Sequence, residues 1–503
     1  MATNALYSPP SITVSANGPQ TILTAGSGAR VVCVVGTASQ GPDYPVLCDY
    51  GRALALYGSP TAIQSLGHTL PIGLYYINGQ RQPVGNTSLL FLCIRVGVTR
   101  ASLVIKDQTP TTPLNAFTIQ GIGVYAGSAG NSLQVVIAAT GAVVTSIAIN
   151  DNSSGSPVQR QFYSNTSYNL TSNAAIAAQI NGANPLTNPG SIVQVTSVSA
   201  TALVPAALST ANTLATGADG LGTTAGDASI AAGLAASLWT HADFLWMGFD
   251  AAAIQATVAT HLNAAASGGT NEFRKAILGP KYGTTFSTMT GSYNTFNSAR
   301  IVCIGHDGAY GVNPVSGTST ILDGFFLAAA YCGLKAIGPV EETGTGMAIS
   351  GFSTLAIPSD KASILQAADL NNLAGSGLLV FEQRPNGALF VRDAVTTAPQ
   401  ITNNAVNPFS QFNIQDIDDA VSNALIGAVS PFKGRPSASL STQISQLQNA
   451  CTVSLAALGE TINGINSVIV SVDPNTLIPT IAVSYITRYP YLQISIQTSY
   501  SFL

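Results

Sequence analysis

Near the end of the chain, apolar and polar positions alternate in two runs on either side of Pro490. Ile481, Val483 and Tyr485 alternate with Ala482, Ser484 and Ile486; Leu492, Ile494 and Ile496 alternate with Gln493, Ser495 and Gln497. Period two places each set on one face, so each run predicts a half-buried strand of β-branched and aromatic residues. A terminal strand must pair its backbone groups, either within its own domain or on the open sheet edge of a neighbouring subunit. At the other end, residues 1–28 predict a short extended arm with one weak strand around Ile12 and Val14.

Between the ends the pattern changes three times. The run from Arg30 predicts a buried strand leaving through a turn at Gly41-Pro42, with further strands at 45–48 and 89–96. Helices are predicted at 49–57, capped at Asp49 and stopped at Gly58, and at 68–79. From 101 to 204, alternating runs at 117–119, 133–138, 143–149 and 193–198 are separated by Gly, Asn, Ser and Pro loops. They predict a small β sandwich or barrel with one helix at 173–181. After a Gly/Ala/Thr-rich linker at 208–225, helices at 227–238, 251–266, 285–296, 319–334 and 361–373 alternate with strands at 244–249, 274–278 and 300–305. That alternation predicts a mostly parallel sheet covered on both faces. A hairpin at 378–383 and 388–393 follows. The last domain opens with an amphipathic helix at 414–429, whose acidic start (Asp416, Asp418, Asp419) suits the positive end of a helix dipole. A sharp loop at 431–436, a helix at 439–458 and a strand at 467–472 complete it.

Composition narrows the class. A chain of 503 residues predicts two to four domains. Only 8% of residues are charged, against about 25% in ordinary soluble domains. Such a surface is poorly solvated in a free monomer, which points to an assembly that covers it, or to an extracellular β-rich protein with a Ser/Thr/Asn surface. The net charge of −4 offers no footprint for nucleic acid or an anionic membrane. No basic n-region precedes Arg30, and the apolar run at 325–334, flanked by Asp323 and Lys335, is below membrane-span length. The six Cys show no CxxC spacing and several lie in apolar runs, so buried reduced thiols made in a cytosol are expected.

Candidate chemistry is sparse. None of the four His pairs with a His or Cys at metal-ligand spacing. His306-Asp307 follows the strand at 301–304, where α/β enzymes place their sites, although a loop pair capping a strand end reads the same way. The Gly-rich runs at 217–226 and 344–351 lack G-x-G-x-x-G, and neither Gly-Lys-Ser/Thr nor Gly-x-Ser-x-Gly occurs. With five Glu in the chain, two of them adjacent at Glu341-Glu342, paired-carboxylate chemistry has little material. No catalytic, cofactor-binding or metal residue is therefore assigned. Lys433 and Arg435 flank the 431–436 loop, and Arg384 and Arg392 bracket the hairpin. In a chain this poor in charge they are either ordinary surface groups or contacts to an acidic partner.

Several stretches resemble the tail sheath proteins of contractile bacteriophage tails and related injection particles. Residues 30–42 (Arg-Val-Val-Cys-Val-Val-Gly-Thr-Ala-Ser-Gln-Gly-Pro) are similar to that family's opening strand and its turn. Cys93-Ile94-Arg95-Val96 with Ala101, Gly130-Asn131-Ser132-Leu133 in the β-rich part, the 373–397 hairpin and the Phe432–Pro436 loop match further motifs. Their order covers nearly the whole chain. The resemblance implies an α+β multidomain protein, an α/β sheet domain with an inserted β-rich sandwich or barrel and extended terminal strand arms. Its expected division is 1–28 arm, 29–100 first part of the core, 101–207 β-rich outer domain, 208–400 α/β domain, 401–476 inner domain and 477–503 arm. It further implies hexameric rings stacked helically on an inner tail tube protein, with baseplate and tail terminator proteins as partners, and no enzyme activity or cofactor. The inter-subunit arms would then be Ile12, Val14, Ile481, Val483, Tyr485, Leu492, Ile494 and Ile496, with Lys433 and Arg435 against the tube. Extended, residues 480–503 could span up to ~80 Å at about 3.3 Å per residue, enough to reach a neighbour. The other readings are an α/β nucleotide- or sugar-handling enzyme with a β-rich appendage, and a secreted adhesin.

Overall fold

The computed structural model describes residues 30–58, 67–80, 89–182, 191–221, 223–224, 227–267, 272–314, 316–338, 340, 342–384, 387–399, 401–402, 405–407, 410–432, 440–472 and 479–487. Its central sheet has six strands in the order Ile301–Cys303, Lys275–Gly279, Phe244–Asp250, Val31–Gly36, Leu90–Arg95, Val46–Cys48. All neighbours run parallel except the antiparallel edge strand Val46–Cys48. Val31–Gly36 is buried at every position, as a strand covered on both faces must be. Val32 and Val34 enter a core shared with helices Thr69–Asn78 and Gly324–Ile337, while Val31, Cys33 and Val35 enter one shared with helices Ala228–Ala236 and Ala251–Ser267. Strands from the first hundred residues and from beyond residue 240 thus build one sheet, and the β-rich segment is interposed between them.

The helix Gly324–Ile337 is buried at every residue except Ile337. It packs against Thr69–Asn78 across Gly333, where a Cβ would lie 2.2 Å from the Ile77 carbonyl. Only glycine allows that backbone approach. The short helix Tyr50–Tyr57 has the predicted ends: Asp49 accepts from the Arg52 amide at 2.8 Å, and Gly58 adopts φ 88°.

In the β-rich part, Leu208–Thr213, Leu133–Thr140, Val143–Asp151 and Val158–Ser164 form a four-stranded antiparallel sheet. Ser102–Lys106, Asn115–Gly121 and Val193–Thr196 form a three-stranded one. Alternate residues from both, among them Val135, Ile147, Phe117 and Val193, share one core with the helix Asn173–Asn181. Buried Arg95 ties this part to the central sheet: it donates to the carbonyls of Ala38 (2.9 Å), Gly41 (2.6 Å) and Ala126 (3.1 Å) and pairs with Asp219 at 2.9 Å.

Three local expectations are corrected. The stretch 208–225 is not all linker, because Leu208–Thr213 pairs with Leu133–Thr140 despite its weak alternation. The helix expected at 319–334 starts at Gly324; Ser319–Asp323 is a strand beside Gly308–Val312, in a sheet completed by Phe352–Leu355. Here β-favouring Thr320-Ile321-Leu322 finds a partner strand, which overrides helix propensity. The helix expected at 361–373 is Ala367–Gly375, its start set by Asp369, whose carboxylate accepts from the Gln366 amide at 3.0 Å. All six Cys are buried free thiols.

Candidate functional site: the C-terminal module and its ionic joint

The chain from residue 412 makes two helices, Phe412–Val429 and Leu440–Ala456, and a two-stranded antiparallel hairpin, Ile462–Val472 with Pro479–Thr487. Ile481 pairs with Val470, Val483 with Val468 and Tyr485 with Ile465. These three turn inward onto Ile417, Val421, Cys451 and Leu455, whereas Ala482, Ser484 and Ile486 point to solvent. The Tyr485 hydroxyl donates to Asp418 at 2.8 Å, and the Gln448 amide donates to the Val468 carbonyl at 2.9 Å. The period-two reading of this run therefore gives the right face. Within the chain its partner is the strand Ile462–Val472, one of the two pairings that the alternation leaves open for Ile481, Val483 and Tyr485. Among the described residues, neither outer edge of the hairpin carries a third strand. Ile12, Val14, Leu492, Ile494, Ile496, Lys433 and Arg435 lie outside the described residues.

The first two turns of Phe412–Val429 are buried against the central sheet. Asp416 pairs with Lys275 and lies 3.3 Å from the Lys335 ammonium; Asp419 takes both Arg300 nitrogens at 2.9 and 2.7 Å and lies 3.4 Å from Lys275. Gln415 donates to Asp419 at 3.0 Å, and Lys335 also donates to the Glu342 carbonyl. Both lysines sit over the Phe412 ring, at 5.5 and 5.0 Å from its centroid. Burial drives the Lys275 ammonium from 10.5 down to about 7, with Asp419 pulling the other way and Arg300 and Arg30 adding to the fall. The acidic start expected to serve the helix dipole instead forms a buried ionic joint. The helix runs continuously from the central core, through Phe412, into the C-terminal core, through Ile417 and Val421.

The other candidate residues serve the fold. His306 Nε2 accepts from the Phe381 amide at 3.0 Å, and burial lowers its pKa to about 4. Asp307 accepts from the Gly283 amide at 3.0 Å, and burial raises its pKa. Arg384 lies 3.7 Å over the Phe390 ring, and Arg392 donates to Asn371. Among the described residues no three His, Cys, Asp or Glu side chains converge on a metal position, and no helix is long and apolar enough to cross a membrane.

No family model and no curated protein matches the sequence. Among solved structures, the chain is similar to the sheath tail protein of Listeria innocua, with 13% identity and a TM-score of 0.57 over 92% of this chain and 96% of that one. It is also similar to the sheath tail protein of Desulfitobacterium hafniense, with 15% identity and a TM-score of 0.53 over 92% of this chain and 97% of the other. The chain has the fold of the sheath tail proteins. At such low identity the likeness lies in the arrangement of elements; within this chain, some of the motif residues tie elements of the fold together. Arg95 is one. Gly130 is another, since a Cβ there would lie 2.5 Å from the Tyr125 carbonyl. The ionic joint was missed in the sequence. Its signal was there: Asp416 and Asp419 at i, i+3 on an apolar helix face, and Lys335 alone in an otherwise apolar helix.

Proposed function

We propose that this chain is the structural subunit of a contractile tail sheath. It polymerises as hexameric discs stacked helically around an inner tail tube, and contracts to drive that tube through a cell envelope. The fold shared with sheath tail proteins over 92% of the chain carries this reading. The hairpin supports it, since among the described residues neither of its edges carries a third strand, and an open edge is a template for a strand from another copy. Residues 1–28 and 488–503, including Ile12, Val14, Leu492, Ile494 and Ile496, supply those strands, while Lys433 and Arg435 contact the tube. Baseplate and tail terminator proteins bound the assembly, which forms in the host bacterial cytoplasm and resides in the virion tail. Contraction needs no catalytic group: subunits of a metastable extended sheath slide as rigid bodies into a lower-energy packing. The buried ionic joint suits that role by moving the C-terminal module with the central sheet. Truncation after Thr487 tests the reading. The shortened chain is expected to fold and remain monomeric, whereas polymerisation equal to that of the full chain would refute the arm assignment.

A further inference from the structure

The β-rich part leaves the central sheet after Leu90–Arg95 and returns to it before the helix Ala228–Ala236, so two chain segments, 96–102 and 214–220, run side by side between them. They are paired where they cross. Thr99 and Ala218 exchange both backbone hydrogen bonds at 2.9 Å, and Ser102 and Ala215 exchange theirs at 2.9 and 3.0 Å.

Between those two pairs lies a strained residue. Thr216 adopts φ 66°, in the left-handed region that a β-branched side chain disfavours. Its side chain is exposed and its hydroxyl donates to the neighbouring Ala215 carbonyl at 2.6 Å, so core packing does not impose this backbone. The flanks impose it. Ala215 is held by Ser102, and Gly217 by the side chain of Asn131, which accepts from the Gly217 amide at 2.9 Å and donates to its carbonyl at 3.1 Å. A Cβ on Gly217 would lie 2.1 Å from the Gly127 carbonyl oxygen, so the returning segment is pressed against the β-rich part. Such a conformation persists only where the surroundings over-determine it.

The strongest of these surroundings is ionic. Asp219, three residues on, pairs with Arg95 and accepts from both the amide (2.8 Å) and the hydroxyl of Ser128. The Arg95 side chain is 0% exposed. Through its three carbonyl partners and Asp219, it gathers the turn after Val31–Gly36, the 126–128 loop of the β-rich part and the returning segment. Arg100, in the outgoing segment, pairs with Asp43 of that same turn at 2.7 Å. A chain with 8% charged residues thus places two ion pairs at one crossing. Opening the crossing would leave a buried guanidinium without its carboxylate, which opposes the gain that Thr216 makes on returning to an ordinary φ.

We propose that this crossing is a locked hinge: Thr216 is the residue at which the β-rich part turns on the central sheet, and the Arg95–Asp219 pair is the lock that holds one orientation. The proposal concerns motion within one chain and stands apart from the sheath reading. Hinges absorb domain motion in a few connecting residues, and here the strain favours release while the lock forbids it.

Amide hydrogen exchange and a distance measurement on the full-length chain test it. Asp219→Asn keeps the side-chain volume and removes the charge. It is expected to speed exchange of the Thr99, Ala215 and Ala218 amides at least tenfold, with the strands Val31–Gly36 and Val143–Asp151 exchanging as in wild type. Thr216→Gly relieves the strain and is expected to slow the same three amides severalfold. Nitroxide labels at Val143→Cys and Ala253→Cys, diluted into unlabelled chain, are expected to give one narrow distance, broadened by Asp219→Asn; the described native Cys are all buried. Wild-type exchange and a narrow distance in Asp219→Asn would overturn the lock, as would protection lost equally from both sheets. Faster exchange in Thr216→Gly would overturn the hinge residue. Should Asp219→Asn fail to fold, Ser128→Ala removes one contact to the same carboxylate and is expected to act in the same direction, and wild-type exchange there would also overturn the lock.

Discussion

Removing the charge of Asp416 probes the joint that couples the C-terminal module to the central sheet. Asp416→Asn keeps the side-chain volume and leaves Lys275, 3% exposed, and Lys335, 1% exposed, without their shared carboxylate. Removing one partner of a buried ion pair costs about 3–5 kcal/mol, because the remaining charge stays desolvated. Asp419 still lies 3.4 Å from Lys275, and the Glu342 carbonyl still accepts from Lys335, so about 3 kcal/mol is expected. At 1.36 kcal/mol per tenfold, that raises the opening equilibrium of the helix Phe412–Val429 about a hundredfold. Amide hydrogen exchange reads this local opening directly. The loss also depends on pH. The folded-state pKa of Lys275, about 7, lies below its ordinary 10.5, so between these values the opened chain binds more protons than the closed one. Closure of the joint in wild type is therefore expected to strengthen as pH rises from about 7 towards 10.5, and to stay level with respect to this group below 7. It follows that Asp416→Asn costs most near pH 6, where Lys275 is charged, and less near pH 9. Asp418→Asn serves as a control, since that carboxylate meets the Tyr485 hydroxyl rather than a cation. Wild-type exchange in Asp416→Asn at pH 6, or an equal effect at Asp418, would refute the joint.

Other perturbations separate the remaining claims. Tyr485→Phe removes one hydrogen bond to Asp418 and is expected to cost about 1 kcal/mol of hairpin stability in denaturant titration; a loss of several kcal/mol would mean the hydroxyl does more than close the hairpin. Gly333→Val drives side-chain atoms into the Ile77 backbone and is expected to lower the thermal midpoint sharply, by up to about 3 kcal/mol of overpacking, and an unchanged midpoint would show that these helices can separate. Ile494→Lys is expected to leave the fold intact and impair polymerisation; normal tubes from that variant would remove Ile494 from the buried face of the arm.

Much of the fold was legible because its elements carry local signals. The all-apolar Val31–Val35 run, Asp49 and Gly58 around a short helix, and Asp227 before Ala228 each state their structure within a few residues. What failed were choices made by distant partners. Leu208–Thr213 becomes a strand because Leu133–Thr140 offers an edge, and Ser319–Asp323 because Gly308–Val312 does. The candidate site divides the same way. Alternation at 481–486 named the buried face, but period two cannot say whether the partner strand belongs to the same chain. Within the chain, Ile481, Val483 and Tyr485 lie on a strand paired with Ile462–Val472. The acidic residues of the 412–429 helix looked like dipole partners because helix position is local, whereas Lys275, Arg300 and Lys335 come from three distant segments.

Negative-stain electron microscopy of the purified full-length chain, over a range of concentrations, tests the central claim most directly. Hollow tubes or stacked rings with six-fold symmetry are the predicted result. A uniform monomer at every concentration would contradict it.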